Sequence, residues 1–219
     1  MPCFFFLKKS KTIILTYRIM YIKSFITTII AILFFAETVF AQETTLTIQG
    51  SPQMTIDGDS NVRSWDADAN EVTATLTLTG IEHISLNALS ADAFKEMKIS
   101  VMVDQIDSEI RGLTRNIHNY LKADSHPEIT FTLNAIEEIE KQNDSAMIIA
   151  IGVINAAGKE HEVTMNVTAR MNDNGTINFS GEQTLLMTSF DIDPPTAIMG
   201  TVRARDEFRV LYSVDFGRE

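Results

Sequence analysis

Through most of the chain beyond Thr44, apolar and polar residues alternate with period 2, the spacing that in an extended strand sends every second side chain to the same face. Val72, Ala74, Leu76 and Leu78 alternate with Thr73, Thr75, Thr77 and Thr79, and Ile129, Phe131 and Leu133 with Thr130, Thr132 and Asn134. Val163, Met165, Val167, Ala169 and Met171 do the same, as do Phe208, Val210, Tyr212, Val214 and Phe216. Less regular strands are predicted over 44–48, 54–57, 62–65, 97–103, 146–154 and 176–187. Asp57-Gly58-Asp59, Ala157-Gly158-Lys159 and Asn172-Asp173-Asn174-Gly175 each contain residues that tolerate positive φ, so each is expected to turn a hairpin, and sequential hairpins make an antiparallel sheet.

One segment departs from period 2. Ile110, Leu113, Ile117, Tyr120 and Leu121 recur at helical spacing, Asp107 or Ser108 can cap the start, and Pro127 bars continuation. One α-helix of three to four turns is therefore predicted at about residues 107–122. A second, very short turn or 3-10 piece is expected at Pro194-Pro195-Thr196. The fold class is all-β with that one inserted helix. About eight strands, each with one apolar face, must either pack as two sheets or close into a barrel, and periodicity alone does not choose between them.

The N-terminus reads differently. Lys8, Lys9, Lys11, Arg18 and Lys23 precede an apolar run over 25–36, and Val39-Phe40-Ala41 offers small or short side chains where a signal peptidase reads. That run of twelve residues, apolar apart from Thr27 and Thr28, falls short of the roughly 20 a bilayer-spanning helix requires, so residues 1–41 are expected to be a cleaved secretory signal, with Met1 or Met20 as its start. Residues 42–219 are then expected to form a single domain in the periplasm or outside the cell, with no stable membrane insertion once the signal is cut. The sole cysteine, Cys3, would leave with the leader.

Charge narrows the partners. The chain carries a formal net charge of −11, and without residues 1–41 the balance is 13 Lys+Arg against 28 Asp+Glu. Such a surface repels phosphate backbones, so a nucleic-acid partner is excluded, while a homodimer is left open. Catalytic signatures are missing: there is no G-x-S-x-G elbow, and His83, His118, His126 and His161 fall singly in separate elements without metal-ligand spacing. Asp57-x-Asp59-x-Asn61 opens like a calcium loop, but Val62 stands where that loop needs glycine and Asp68 where it needs a bidentate glutamate. No catalytic residue, metal or cofactor is expected. Trp65, the one tryptophan, stands beside a turn and is expected to be plain core or a barrel plug before a ligand-stacking group.

Three stretches are more specific. Gly58-Asp59-Ser60-Asn61-Val62-Arg63-Ser64-Trp65, the run LTRNIHNYLKADSHPEITFTL over 113–133, and Asp193-Pro194-Pro195-Thr196-Ala197-Ile198-Met199-Gly200 together resemble, in order and spacing, the YceI-like family of lipid- or polyisoprenoid-binding proteins in its secreted branch. Two positions depart from it: Arg63 stands where the family often has histidine, and Asn116-Ile117-His118 where its helix often carries a Met-Asp-Lys run. The resemblance implies a lipocalin-like antiparallel β-barrel that holds an isoprenoid, quinone-like or other long apolar lipid in its interior, without catalysis. Alternation and the resemblance together nominate Phe94, Val101, Val103, Leu121, Phe131, Leu133, Val167, Met187, Phe190 and Phe208 as cavity lining, with Trp65 near one end. The competing expectation is a filled barrel serving as an envelope interaction or stress protein.

Overall fold

The alternating segments become strands in the computed structural model, which describes residues 42–197 and 199–218; the expected leader lies outside the described residues. In chain order the strands are β1 (Glu43–Ile48), β2 (Gln53–Ser60), β3 (Trp65–Ala69), β4 (Val72–Thr79), β5 (Phe94–Met102) and β6 (Ile106–Asp107). They are followed by β7 (Glu128–Lys141), β8 (Ala146–Ala156), β9 (Lys159–Met171), β10 (Ile177–Leu186), β11 (Thr196–Ala197) and β12 (Val202–Gly217), while the helix α1 (Leu113–Tyr120) stands between β6 and β7.

All pairings are antiparallel, and eight strands form a closed ring in the order β1-β4-β5-β7-β8-β9-β10-β12. The ring is completed where Thr47 and Ile48 of β1 face Gly217 and Phe216 of β12. Closure decides between sandwich and barrel: each strand's single apolar face has an inside to turn to, and the ring has no exposed edge. The N-terminal half of β12 pairs instead with β2, which continues through β3 to β6. Since β6 pairs with no strand on its other side among the described residues, α1 packs there.

Several boundaries differ from those predicted. Asp57-Gly58-Asp59 does not turn but runs inside β2, and the turn falls at Asn61–Ser64, where a strand was expected over 62–65. Serine chemistry makes that turn: Ser60 Oγ accepts from the amides of Val62 and Arg63 and donates to the Arg63 carbonyl. The helix is eight residues long rather than three to four turns, because Ile106–Asp107 extends as β6 and Gly112 precedes the helix at φ 82°. Pro194 and Pro195 form no 3-10 turn; that turn lies earlier, at Met187–Phe190, and Thr196–Ala197 pairs with β12 as β11. The β8–β9 turn is as expected: Ala157 and Gly158 sit at φ 52° and 82° between the paired Ala156 and Lys159.

The barrel is solid at one end. Leu46, Leu76, Leu78, Ile148, Ile177, Phe179 and Phe216 pack together there, each no more than 4% exposed. Phe179 meets both Phe94 and Phe216 edge-to-face, at 6.4 Å and 5.8 Å between ring centroids. Short 3-10 turns at Leu86–Ala88 and Ala91–Ala93, with Ile81 and Leu89 buried beside them, complete this packed half.

Candidate functional site

The other half is hollow. A cavity of about 720 Å³ opens inside the barrel, within the range of small-molecule and cofactor sites. Its wall comes from inward positions of nearly every strand at this end, among them Met54, Ile56, Val101, Ile129, Ile154, Met165, Leu185 and Val210. Ile117 and Tyr120 of α1, with Met187, Phe190 and Ile192, also line it.

Three wall positions explain why the space is not filled. A side chain on Gly181 would meet the Tyr212 hydroxyl at 2.5 Å, one on Gly152 would meet the Phe131 ring at 2.4 Å, and one on Gly58 would meet the Trp65 indole at 2.0 Å. Each of these rings therefore occupies the volume a neighbouring strand leaves vacant, instead of reaching across the barrel. Tyr212 faces Gly181 directly across the β10–β12 pair, and Trp65 faces Gly58 across β2–β3. Trp65 Nε1 donates to the Asp59 carbonyl at 3.3 Å.

The boundary between solid and hollow runs through these residues. On β12, Phe216 and Val214 are packed core, Tyr212 is at the border, and Val210 and Phe208 line the cavity. On β10, Phe179 is core, Gly181 is at the border, and Gln183 and Leu185 line the cavity. The Tyr212 hydroxyl is buried with no hydrogen-bond partner, and burial raises the phenol well above its ordinary pKa, so it stays protonated at neutral pH.

Of the residues nominated from the sequence, the structure brings Trp65, Val101, Leu121, Phe131, Met187, Phe190 and Phe208 to the cavity wall. Four lie elsewhere. Phe94, Leu133 and Val167 face inward, but at the packed end, against the solid core. Val103 is buried in a 3-10 turn, Val103–Gln105, that breaks the alternation inherited from β5, and its amide donates to the Pro127 carbonyl at 2.9 Å. Period 2 names the face of a strand, not the height along the barrel axis; height separates Phe94, Leu133 and Val167 from the seven, and the broken alternation separates Val103.

Residues the sequence did not single out matter as much. Tyr212 stood in plain view in the β12 alternation, but no pattern marked it as the floor of a cavity. Among the described residues the charged side chains lining the cavity are Arg63, Arg111 and Arg115, with no aspartate, glutamate, lysine or histidine. All three arginines are exposed, as are Val62 and Tyr120 beside them, which locates the mouth between the Asn61–Ser64 turn and the segment entering α1.

These two segments, distant in sequence, are brought together by β3 pairing with β6, Asp68 opposite Asp107. The Ser108 hydroxyl then donates to the Asp66 carbonyl at 2.6 Å. Asp107 fixes the start of the helix, accepting from the Thr114 hydroxyl at 2.6 Å and the Ser108 amide at 2.9 Å; these bonds hold its carboxyl below the usual carboxylate range, with smaller contributions from burial, which opposes, and from His118. His118 Nε2 donates to the Ile106 carbonyl at 2.8 Å, so this histidine ties α1 to β6. Among the described residues, no group of three or more His, Cys, Asp or Glu is placed to hold a metal, and no helix is long and apolar enough to cross a membrane.

Comparison with known proteins agrees with this geometry. Residues 69–216 match the model of the YceI-like domain. No curated protein sequence matches the chain. Among solved structures, a polyisoprenoid binding domain from Saccharophagus degradans, implicated in plant cell wall breakdown, aligns at a TM-score of 0.60 with 6% identity, covering 80% of this chain and 98% of that one. BcnA of Burkholderia cenocepacia aligns at 0.57 with 17% identity over 75% of this chain and 95% of its own. The YCEI protein of Campylobacter jejuni aligns at 0.50 with 15% identity, covering 70% and 85%.

Proposed function

The chain belongs to the YceI-like family, its match spanning most of the barrel, and from that footing we propose that it binds a long apolar lipid of the isoprenoid kind in the hollow half of the barrel and carries or sequesters it without chemical change. The observation that carries this reading is the cavity of about 720 Å³, walled by aliphatic, methionine and aromatic side chains. An apolar chain entering it gains about 0.8 kcal/mol per buried CH₂, so about ten carbons offset the association cost without any catalytic group. Among the described residues the lining includes no carboxylate, imidazole, amine or thiol, and a binding role requires none. The polyisoprenoid binding domain among the structural relatives supports the lipid class. The leader pattern of residues 1–41 supports export to the periplasm or beyond, and a mature protein beginning at Gln42 is the expected result of N-terminal sequencing.

The test is direct. Organic extracts of purified protein are expected to contain a lipid by mass spectrometry, and a short-chain quinone is expected to quench the Trp65 emission saturably, since this sole tryptophan lines the cavity. Repeated absence of lipid together with unsaturable quenching overturns the proposal.

A further inference from the structure

The arginines at the cavity mouth, like Lys98, Lys122, Lys141, Arg170, Arg203 and Arg218, have no carboxylate partner among the described residues, and differ from those in lining the cavity together. Arg205 and Arg209 pair with carboxylates of β2 and β10, Lys95 with Glu43 and Lys159 with Asp191, whereas Arg63, Arg111 and Arg115 pair with no carboxylate among the described residues. In a chain of formal net charge −11, a cavity lined by three guanidinium groups and, among the described residues, not one carboxylate is a local reversal of the molecule's charge. Arg111 and Arg115 are four residues apart at the entry to α1, and Arg63, in the turn that precedes β3, lines the same cavity, β3 being paired with the β6 strand that leads into the helix. Three like charges around one opening repel one another, and an anion between them relieves that repulsion while accepting several charge-assisted hydrogen bonds. Below this polar rim the wall is mostly apolar down to Tyr212, interrupted by Thr130 and Gln183.

Resting on the lipid-binding reading above, we infer that the ligand is an amphiphile with an anionic headgroup, phosphate or carboxylate, gripped by Arg63, Arg111 and Arg115 while its apolar chain fills the barrel. The headgroup stays at the opening and the chain enters tail first. Selectivity then divides by position: the hollow interior accepts any chain of suitable length, and the rim rejects neutral and cationic heads.

Three ligands with one chain and different heads separate the two layers: farnesol, farnesoic acid and farnesyl phosphate, titrated against Trp65 emission. The wild-type protein is expected to bind both anionic forms about tenfold or more tightly than farnesol, with the preference shrinking as salt rises. The stronger of the two anions identifies the headgroup. Replacing Arg63→Gln, Arg111→Gln and Arg115→Gln together is expected to bring both anionic forms down to the level of farnesol, with the cooperative thermal unfolding transition retained. A control with Lys98→Gln, Lys141→Gln and Arg170→Gln alters the net charge equally and is expected to keep the preference. Equal wild-type affinity for all three ligands, a preference surviving the rim substitutions, or a preference lost equally in the control overturns the inference while leaving lipid binding standing. Displacement of farnesyl phosphate by inorganic phosphate at equal concentration also overturns it, since the rim would then serve free anion. Binding of none of the three overturns the lipid-binding reading as well.

Discussion

At Gly58, Gly152 and Gly181 the wall leaves out a side chain so that a ring can lie flat, and the volume available to a guest depends on atoms that are not there. Gly58→Ala would put a methyl group 2.0 Å from the Trp65 indole, so the ring must swing into the hollow. The expected result is a loss of about 1–3 kcal/mol, measured by urea unfolding, with shifted tryptophan emission and abolished uptake of hydrophobic probe. Tyr212 predicts the opposite sign. Its hydroxyl is buried without a partner, so Tyr212→Phe removes an uncompensated polar group and is expected to leave the thermal midpoint unchanged or to raise it by the equivalent of about 1 kcal/mol. Residues of this kind were the hardest to recognise from sequence. Glycine signals either a turn or a close approach, and at Gly58 the flanking aspartates argued for a turn when the cause was the indole across the pair. Phe94, Leu133 and Val167 were legible as inward-facing, but only the three-dimensional stacking shows that their layer is already full.

At the scale of elements, α1 is too short to be stable alone and depends on its ties to β3 and β6. The sequence showed its apolar face, since Ile117 and Leu121 do pack against the barrel. Its start was obscured because Asp107, a plausible cap, lies in β6 and reaches Thr114 from there. Because these bonds depress the Asp107 pKa, their contribution to stability is present above about pH 4, near the ordinary value of 3.8, and is lost as pH falls through the lowered folded-state value. Protection of the α1 amides, taken relative to the intrinsic exchange rate at each pH, is expected to fall in that acidic window in the native protein. In Asp107→Asn the protection is expected to be weaker at neutral pH and flat across the window. An unaltered acid response in the variant would show that another group controls the helix.

At the scale of the whole molecule the barrel divides into a half that stabilises and a half that stays open. Leu76, wholly buried in the packed half, is expected to cost about 2–5 kcal/mol when changed to alanine, as core leucines do. Phe208→Ala removes a larger side chain from the cavity wall, where one side of the ring already faces empty space, and is expected to cost less than Leu76→Ala in the same urea titration while altering ligand affinity more. The all-β class, the antiparallel order and the single helix could be read from periodicity because each strand declares its own buried face. Closure could not, since it rests on Thr47 and Ile48 meeting Gly217 and Phe216 at opposite ends of the domain, a pairing no local pattern encodes.

That last pairing also sets the order of events during synthesis. β12 follows in chain order every strand it joins, and it must pair with β10, β2 and β1, so a nascent chain that stops short of it has an unfinished cylinder with two raw margins. Docking of β12 removes both margins at once, so the last long-range pairing is also the one that closes the molecule against edge-to-edge association.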